Sequence, residues 1–402
     1  MSNSLTAFNE AKWTRDMQPI FYKENVAIAL ANTELRDYLE SGTRVHKPYM
    51  SDLIDQDYTK GTDISSFNDL TATDDYLDVD TCRLVPFYID DLDKIQNKYD
   101  AATEAAQRAQ RRLNNRLDQK VLSNYSSANA YISAQDLGGS GTDSFAVTQG
   151  NIYNLFAVGA RKLEHANVVQ GAELTALIGP RLLEVLRLAV AGRETGLGDT
   201  VGENGVVGNK FGFKVVVSNN VPFSAVLTYT NVATDGDTIK IDDVTFTWEA
   251  TGTNCNAAGE VDLGANADAG YANLVLAING TTAGTTSTYY DVSVADRKKL
   301  RDHGIVATQS TGDDTVTITG YGDVPIVEST ANCVLTSNTQ YPLFLAGKPI
   351  ELIVQKAPNV EFRIAEKRLG RYIYAWTNYG SGVWTNMKDS FLYAKIDTSS
   401  WV

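Results

Sequence analysis

The chain has 402 residues, 43% of them hydrophobic, and this length exceeds a single hydrophobic core, so we expect two or more compact units. Its net charge of −14 argues against tight binding of a phosphate backbone, which needs clustered Lys and Arg to displace counterions. No apolar run is long enough to span a bilayer and the N-terminus lacks a secretory pattern, so we expect a soluble protein made in the cytoplasm.

Residues 1–45 are predicted to form an N-terminal arm with one modest helix that ends near Gly42, because they are too few for an independent core. The apolar positions of that helix are Trp13, Ile20, Phe21, Val26, Leu30, Leu35 and Leu39. Residues 46–90 are rich in Asp and alternate between apolar and polar over 77–89. This period of two predicts the return strand of a long hairpin whose polar tip lies near Lys60.

From Asp90 to Val121, apolar residues recur every three or four positions, which predicts one long helix. Its narrow, Ala-rich stripe favours a helix lying flat on a sheet, with a coiled coil as the alternative. The later turns are basic, with Arg108, Arg111, Arg112, Arg116 and Lys120. This basic face could touch nucleic acid, but compensation of the helix dipole or ion pairs with neighbouring subunits is the favoured explanation.

After this helix, helices and strands alternate, which predicts a mixed α and β layer. Thr148 is expected to cap a second helix. A strand at Leu174–Ile178 then runs through Gly179 into a third helix that begins at Pro180. The next strand is predicted at 215–217.

Residues 224–340 are rich in Thr, Gly, Asp and Asn, unlike both flanks, and are predicted to form an inserted, mainly β domain. Its strand candidates lie at 238–247 and 315–319, around a single helix at 265–278. Apolar strands resume after the insertion, at 349–354, 360–364 and 391–396, with an aromatic-rich segment at 372–384. These aromatic residues could stack on sugars or bases, but packing in a sheet or a subunit interface is favoured.

We expect no catalytic, cofactor or metal site. The three histidines lie far apart and have no partners at the spacing of a metal site or a triad. They are His46, His165 and His303. The three cysteines are odd in number and are expected to be reduced thiols. They are Cys82, Cys255 and Cys333.

Two further patterns suggest ligands only at first sight. The glycines between 196 and 208 are not followed by the Lys-Ser or Lys-Thr pair of a phosphate loop, which argues against a nucleotide site. The aspartates between 52 and 80 lack the short alternating loop and terminal Glu of an EF-hand. A solvated hairpin is therefore favoured over a bound cation.

The order of these elements resembles the major capsid proteins of tailed bacteriophages, which have the Hong Kong 97 fold. The segment YTKGTDI at 58–64 is similar to the descending arm of that family's extended loop. The segment FYIDDLD at 87–93 is similar to the return of that loop into the spine helix. Residues 205–220 resemble the strand before the axial-domain loop. Residues 345–350 and 362–379 resemble the closing strands of that family, including its aromatic and Gly pair, here at 379 and 380.

The resemblance covers residues 1–223 and 341–402 and implies an α+β, Hong Kong 97-like capsid fold with an inserted mainly-β domain. Its parts would be an N-terminal arm at 1–45, an extended hairpin loop at 46–90, peripheral and axial domains at 91–223 and 341–402 including the spine helix, and the insertion at 224–340.

The same resemblance implies a major capsid protein that assembles into pentamers and hexamers of an icosahedral head. Double-stranded DNA would be enclosed without sequence-specific binding. Its partners would be a separate scaffolding protein, a portal and, if maturation requires cleavage, a separate protease. The protein would be part of the virion and would assemble in the host cytoplasm without a membrane. Some relatives crosslink their subunits through a Lys on the hairpin, and Lys60 is the candidate by position.

Two alternatives remain open from the sequence. The first is the shell of an encapsulin-like protein compartment, which shares this fold. The second is a glycan-binding or adhesin virion protein that acts through residues 224–340. An enzyme is the least favoured class, because no acid, base and nucleophile converge in the sequence.

Overall fold

The computed structural model describes residues 23–35, 42–64, 67–92, 101–141, 143–168, 172–192, 208–251, 255–280, 288–329, 332–364 and 369–399. The described helices are α1 (Ala27–Leu30), α2 (Ala101–Leu122), α3 (Ile152–His165), α4 (Pro180–Ala191), α5 (Ala267–Asn279) and α6 (Val294–Asp302).

The described strands are β1 (Arg44–His46), β2 (Tyr49–Met50), β3 (Ala72–Thr73), β4 (Tyr76–Asp78), β5 (Thr81–Asp90), β6 (Ala130–Ile132), β7 (Phe145–Ala146), β8 (Leu174–Ile178), β9 (Phe213–Val217), β10 (Pro222–Tyr229), β11 (Thr238–Ile241), β12 (Val244–Glu249), β13 (Glu260–Asp262), β14 (Val306–Ser310), β15 (Thr315–Tyr321), β16 (Ile326–Glu328), β17 (Cys333–Gln340), β18 (Leu343–Ala346), β19 (Ile350–Ile364), β20 (Gly370–Val383), β21 (Phe391–Ala394) and β22 (Ile396–Asp397).

The long helix α2 lies flat on a three-stranded antiparallel sheet of order β19-β20-β5. Ala109 and Leu113 are buried one turn apart on the same helix face and pack against Ala375 of the central strand. Small Ala side chains bring the helix close to the sheet. The prediction of a long helix on a sheet is confirmed, and the coiled-coil alternative is wrong. The predicted start of this helix lies partly in 93–100, outside the described residues.

The extended hairpin, residues 44–78, is built from two short ladders. β1 pairs with β4 at its base, and β2 pairs with β3 farther out. The alternation at 77–89, predicted as one return strand, is in fact two strands. β4 stays in the hairpin, whereas β5 pairs with β20, so the chain changes partner between them. A Cβ on Gly380 of β20 would collide with the carbonyl of Asp78, so glycine lets the hairpin base approach this sheet.

A mixed layer contains the five-stranded sheet β6-β21-β18-β8-β9 together with α3 and α4. Its core centres on Phe156, Phe213 and Phe344, which pack edge to face. The strand at 174–178 and the start of α4 at Pro180 are as predicted. The capping prediction for Thr148 is wrong, because α3 begins at Ile152, three residues later than a helix capped there would.

The inserted lobe, residues 222–340, has its own core. Tyr229, Trp248 and Tyr271 are fully buried there, and Tyr229 stacks on Tyr271 with ring centroids 4.2 Å apart. The core lies between the four-stranded sheet β13-β12-β11-β16, helix α5, and the insertion's part of a six-stranded sheet. The prediction of one helix in this region is wrong, since α6 is a second. The predicted strand at 238–247 is a hairpin, β11 and β12.

The inserted lobe shares a sheet with the rest of the chain. The six-stranded sheet has the order β14-β15-β10-β17-β22-β7, and its last two strands come from outside the lobe. The chain enters and leaves the lobe side by side, because the Tyr341 N–H donates to the Pro222 carbonyl at 2.9 Å. The lobe is therefore attached through continuous backbone hydrogen bonding as well as through its two connections.

Three further predictions need correction. The arm helix predicted to run to Gly42 ends at Leu30, and the extended backbone of its C-cap Ala31 leads into a bridge between Asn32 and Glu351. Residues 36–41 of the predicted helix lie outside the described residues. The strands predicted at 349–354 and 360–364 form one strand, β19, whose register shifts between 354 and 359. The last predicted strand is two, β21 and β22, separated by Lys395. The arm residues 1–22 lie outside the described residues.

Candidate assembly surfaces

The tip of the extended hairpin, described at 51–64 and 67–71, exposes large apolar side chains that belong to no hydrophobic core of the described residues. Phe67 is 81% exposed and Ile54 74% exposed. The others are Leu53, Tyr58, Ile64 and Leu70. Several large apolar side chains left exposed in one short segment are typical of a protein interaction site. The tip turns at Lys60 and at Gly61, which has a φ of +90°, as the sequence predicted.

The base of the hairpin is held by exposed ion pairs. Arg44 forms a bidentate pair with Asp78, at 2.6 and 3.1 Å, and His46 Nδ1 lies 2.6 Å from Asp74 Oδ2. The Arg44 guanidinium lowers the pKa of the Asp78 carboxyl. Among the described residues, no three His, Cys, Asp or Glu side chains are grouped as metal ligands would be. Two of the aspartates of the acidic stretch thus have partners within the hairpin itself.

The N-terminal arm is anchored by a buried carboxylate on α2. Asp118 is fully buried, and its Oδ1 accepts a hydrogen bond from the Ala27 N–H at 2.7 Å. Its Oδ2 accepts from Asn220 Nδ2 at 2.9 Å. Burial raises the pKa of Asp118, and hydrogen bonds from Asn220 and the arm backbone lower it in part. One carboxylate therefore joins the arm, the long helix and the segment between β9 and β10 that leads into the inserted lobe.

Asp118 was not identified as a functional residue from the sequence, although its position in the apolar pattern of the helix was a signal. It lies beside Leu117 and three residues before Val121, on the buried side of the helix. A carboxylate at such a position needs hydrogen-bond partners, since an unpaired buried charge is costly. The pattern shows that a partner is needed but does not identify the arm as the partner.

The basic face of α2 contacts the inserted lobe of the same chain. Arg112 forms an ion pair with Asp302 at 2.6 Å. Arg116 donates to the Arg301 carbonyl and Gln119 donates to the Asp302 carbonyl, at the end of α6. These donors satisfy terminal carbonyls and oppose the negative end of that helix. From the sequence, the basic face was explained by the helix dipole, neighbouring subunits or nucleic acid, and this contact with α6 of the same chain was not predicted.

The histidines and cysteines are separate in the structure, as in the sequence. His303 is half-buried with Nδ1 2.8 Å from the Tyr321 carbonyl, and burial lowers its pKa. His165 is exposed in the last turn of α3. All three cysteines are free thiols. Burial raises the pKa of Cys255 and Cys333 to about 11, which makes both thiols poor nucleophiles at neutral pH.

The aromatic-rich segment lies in β20, the central strand of its sheet. Tyr379 and Trp384 are buried, and the Trp384 indole donates to Glu351 Oε1 at 3.1 Å. Tyr372 packs against Tyr88 of the neighbouring strand. Packing within a sheet is therefore the role of these side chains in the subunit. Most of the glycine-rich segment, 193–207, lies outside the described residues.

No family model and no curated protein matches this sequence. Solved structures do match it over almost its whole length. A structure from Mycobacterium phage Che8 has a TM-score of 0.56 and 14% identity, covering 97% of this chain and 98% of that chain. The capsid structure of the cyanophage P-SCSP1u has a TM-score of 0.56 and 14% identity, covering 98% and 95%. The asymmetric unit of the bacteriophage PhiM1 mature capsid has a TM-score of 0.53 and 12% identity, covering 97% and 92%.

The chain therefore has the fold of phage capsid subunits, and the predicted α+β, Hong Kong 97-like fold is confirmed. No helix in the described part of the chain is long and apolar enough to cross a membrane.

A partly buried lysine of the arm, Lys23, gives a prediction for pH dependence. Burial lowers the pKa of Lys23 to about 8 from its ordinary 10.5. The folded state thus binds this proton less tightly than the unfolded state, so the contribution of Lys23 to folding stability should rise as pH increases from 8 to 10.5. Because the raised pKa of Cys255 and Cys333 lowers stability in part of the same window, this gain is measured by urea unfolding relative to a variant without the lysine. Allowing for solvent screening, it should be about 1 kcal/mol. The variant Lys23→Met should lack this gain, and equal slopes in the two proteins would contradict the assignment.

Proposed function

We propose that this protein is the major capsid protein of a tailed phage. It assembles into pentamers and hexamers of an icosahedral head that encloses double-stranded DNA. The observation that carries the proposal is the reciprocal coverage: the chain and the capsid chains match over nearly all of both lengths. The exposed apolar hairpin tip supports it, because a shell subunit must leave such surfaces for its neighbours.

The proposed mechanism is assembly through many modest contacts that closed symmetry repeats around the shell. The hairpin tip would lie over a neighbouring subunit, while α2 and its sheet would keep the subunit rigid. We assign a structural role without catalytic, cofactor or metal residues. Lys60 at the tip turn remains the candidate for a covalent crosslink between subunits.

We propose the domain limits 1–45 for the arm, 46–90 for the hairpin loop, 91–223 with 341–402 for the peripheral and axial domains, and 224–340 for the insertion. A separate core within the last segment supports its treatment as an added lobe. The proposed partners are a scaffolding protein, a portal and the packaged DNA, and the proposed site of assembly is the host cytoplasm.

Neither alternative function gains support from the comparisons. The matching structures from cyanophage P-SCSP1u and bacteriophage PhiM1 are phage capsids, which are neither cellular compartments nor adhesins. The inserted lobe is fastened to the capsid layer through the six-stranded sheet, which suits a part of the shell wall. Glycan binding by the lobe has no specific observation in its favour.

Assembly can be tested by expressing the full chain in bacteria with and without the scaffold gene of the same genome. Electron microscopy of the purified products should show closed shells built from pentamers and hexamers when the scaffold is present. Small oligomers alone, under both conditions, would overturn the proposal. Uniform closed shells that form without scaffold and enclose a host enzyme would favour the encapsulin-like compartment instead.

A further inference from the structure

A cleft of about 530 Å³ lies between α2, β5 and α6, where the inserted lobe meets the long helix. Its floor is apolar and includes Val85, Phe87 and Ala109. Its walls carry a concentration of positive charge that is unusual in a chain of net charge −14. The cationic lining residues are Lys23, Arg108, Arg111, Arg112, Lys298 and Lys299. We call this the basic cleft.

The cations stand on two opposing helices. Arg108, Arg111 and Arg112 are three and four positions apart, so they share one face of α2. Lys298 and Lys299 lie on α6 across the cleft. Four carboxylates pair with these groups: Asp302 with Arg112 at 2.6 Å, Glu104 with Arg108 at 2.9 Å, and Asp243 and Asp296 with Lys299 at 3.7 and 3.6 Å. Six cationic side chains against these four carboxylates leave an excess of positive charge around the cleft.

Two pKa values beside the cleft are lowered, mainly by burial and to a smaller extent by neighbouring positive charge. Burial, followed by the charges of Arg83 and Arg112, lowers the pKa of Arg116, one turn beyond the cleft. Burial, followed by the charge of Lys23, lowers the pKa of His303 in the cleft wall. A bound anion would relieve this repulsion, and it would also shift both pKa values upward.

We propose that the basic cleft binds an anion with several closely spaced phosphate groups. Arginine guanidinium groups match phosphate oxygens with paired hydrogen bonds, and lysines add point charges from the opposite wall. The volume is that of a small-molecule site, so a ligand must concentrate its charge to meet several cations at once. The apolar floor accommodates the non-phosphate part of such a ligand. This assignment goes beyond the shell role and does not depend on it.

Acidic peptide is the competing class, and the chain offers one in its own hairpin tip. The aspartates there stand two to six positions apart, at 52, 55, 57, 63 and 69. In extended chain this spacing is roughly 7 to 20 Å, so few of these carboxylates would enter one cleft together. Adjacent phosphate groups of a polyphosphate share an oxygen, and those of a nucleic-acid strand follow one another about every 3.4 Å along the helix axis. More charges of either ligand than of the peptide can therefore enter one cleft, which favours the phosphate class.

The test is titration calorimetry of the full chain, without scaffold and at low salt, with inorganic tripolyphosphate as the probe. The double variant Arg111→Glu, Lys298→Glu changes two exposed side chains and should weaken binding by at least about tenfold, because two charge-assisted contacts are lost. The matched control Lys348→Glu, Arg363→Glu makes the same change of charge on exposed residues outside the cleft, and binding should change less than about twofold.

Absence of saturable tripolyphosphate binding, or an equal loss in both double variants, would overturn the proposal. If the Glu variant is unfolded by circular dichroism, Arg111→Gln with Lys298→Gln replaces it. Competition then separates the sources of phosphate. Displacement by a duplex DNA oligonucleotide supports a nucleic-acid backbone as ligand, whereas binding without displacement supports a small polyphosphate. A synthetic peptide of residues 50–72 that binds the cleft more tightly than tripolyphosphate would overturn the phosphate assignment.

Discussion

Replacing residues 52–70 with a short Gly-Ser turn is expected to abolish shell assembly while leaving the subunit folded. The described residues of the removed segment, 52–64 and 67–70, belong to no hydrophobic core, and the ladders β1-β4 and β2-β3 remain intact at the base of the hairpin. The free energy of unfolding, measured with urea, should therefore change by less than about 0.5 kcal/mol. Sedimentation and electron microscopy with the scaffold present should show free subunits or small oligomers in place of shells.

Point variants separate the apolar contribution of the tip from its charge. Leu53→Ser with Phe67→Ser removes two exposed apolar side chains and should lower the yield of shells strongly. Asp55→Asn, a change of charge in the same segment, is the matched control and should assemble nearly as well as the native chain. Closed shells at normal yield from the shortened hairpin would contradict the role given to the tip.

Asp118→Ala is expected to cost about 2 to 3 kcal/mol of folding stability, because it leaves buried donors without an acceptor. The affected groups are the Ala27 N–H of the arm and the Asn220 amide. Loss of the carboxylate's own desolvation cost offsets part of this effect. Urea unfolding gives the magnitude, and limited proteolysis of the arm shows whether it has been released.

The variant Asp118→Asn is the matched control for the same site. It keeps one oxygen that can accept from Ala27 but presents an amide donor to Asn220, so its stability should fall between the native chain and Asp118→Ala. A destabilisation below about 0.5 kcal/mol for the Ala variant, with the arm still protected from protease, would show that Asp118 does not anchor the arm.

Much of the fold could be predicted because local periodicity and tertiary packing agree. Leu113, Leu117 and Val121 recur every four positions in the sequence, and the same side chains are buried in the structure. Gly179 and Pro180 start α4 through purely local backbone preferences. These elements require no knowledge of distant parts of the chain.

Other elements depend on distant partners, and there the predictions were wrong. The apolar spacing of the arm suggests a longer helix, but backbone pairing of Asn32 with β19 extends the chain after Ala31. Helix α6 buries only Leu300 of its residues, so it lacks an apolar stripe. The start of α6 could have been predicted, because serine is a preferred helix cap and Ser293 accepts a hydrogen bond from the Asp296 N–H. The basic cleft joins residues 190 positions apart, which no local pattern reveals.

The side-by-side entry and exit of the inserted lobe has a consequence for how such a chain can change. Because Pro222 and Tyr341 are hydrogen-bonded neighbours, a tight turn could join them in place of the whole segment. A gene could therefore gain, lose or exchange this segment without a change in the path of the remaining backbone. Any foreign polypeptide whose own ends lie equally close could be carried at the same position, one copy per subunit.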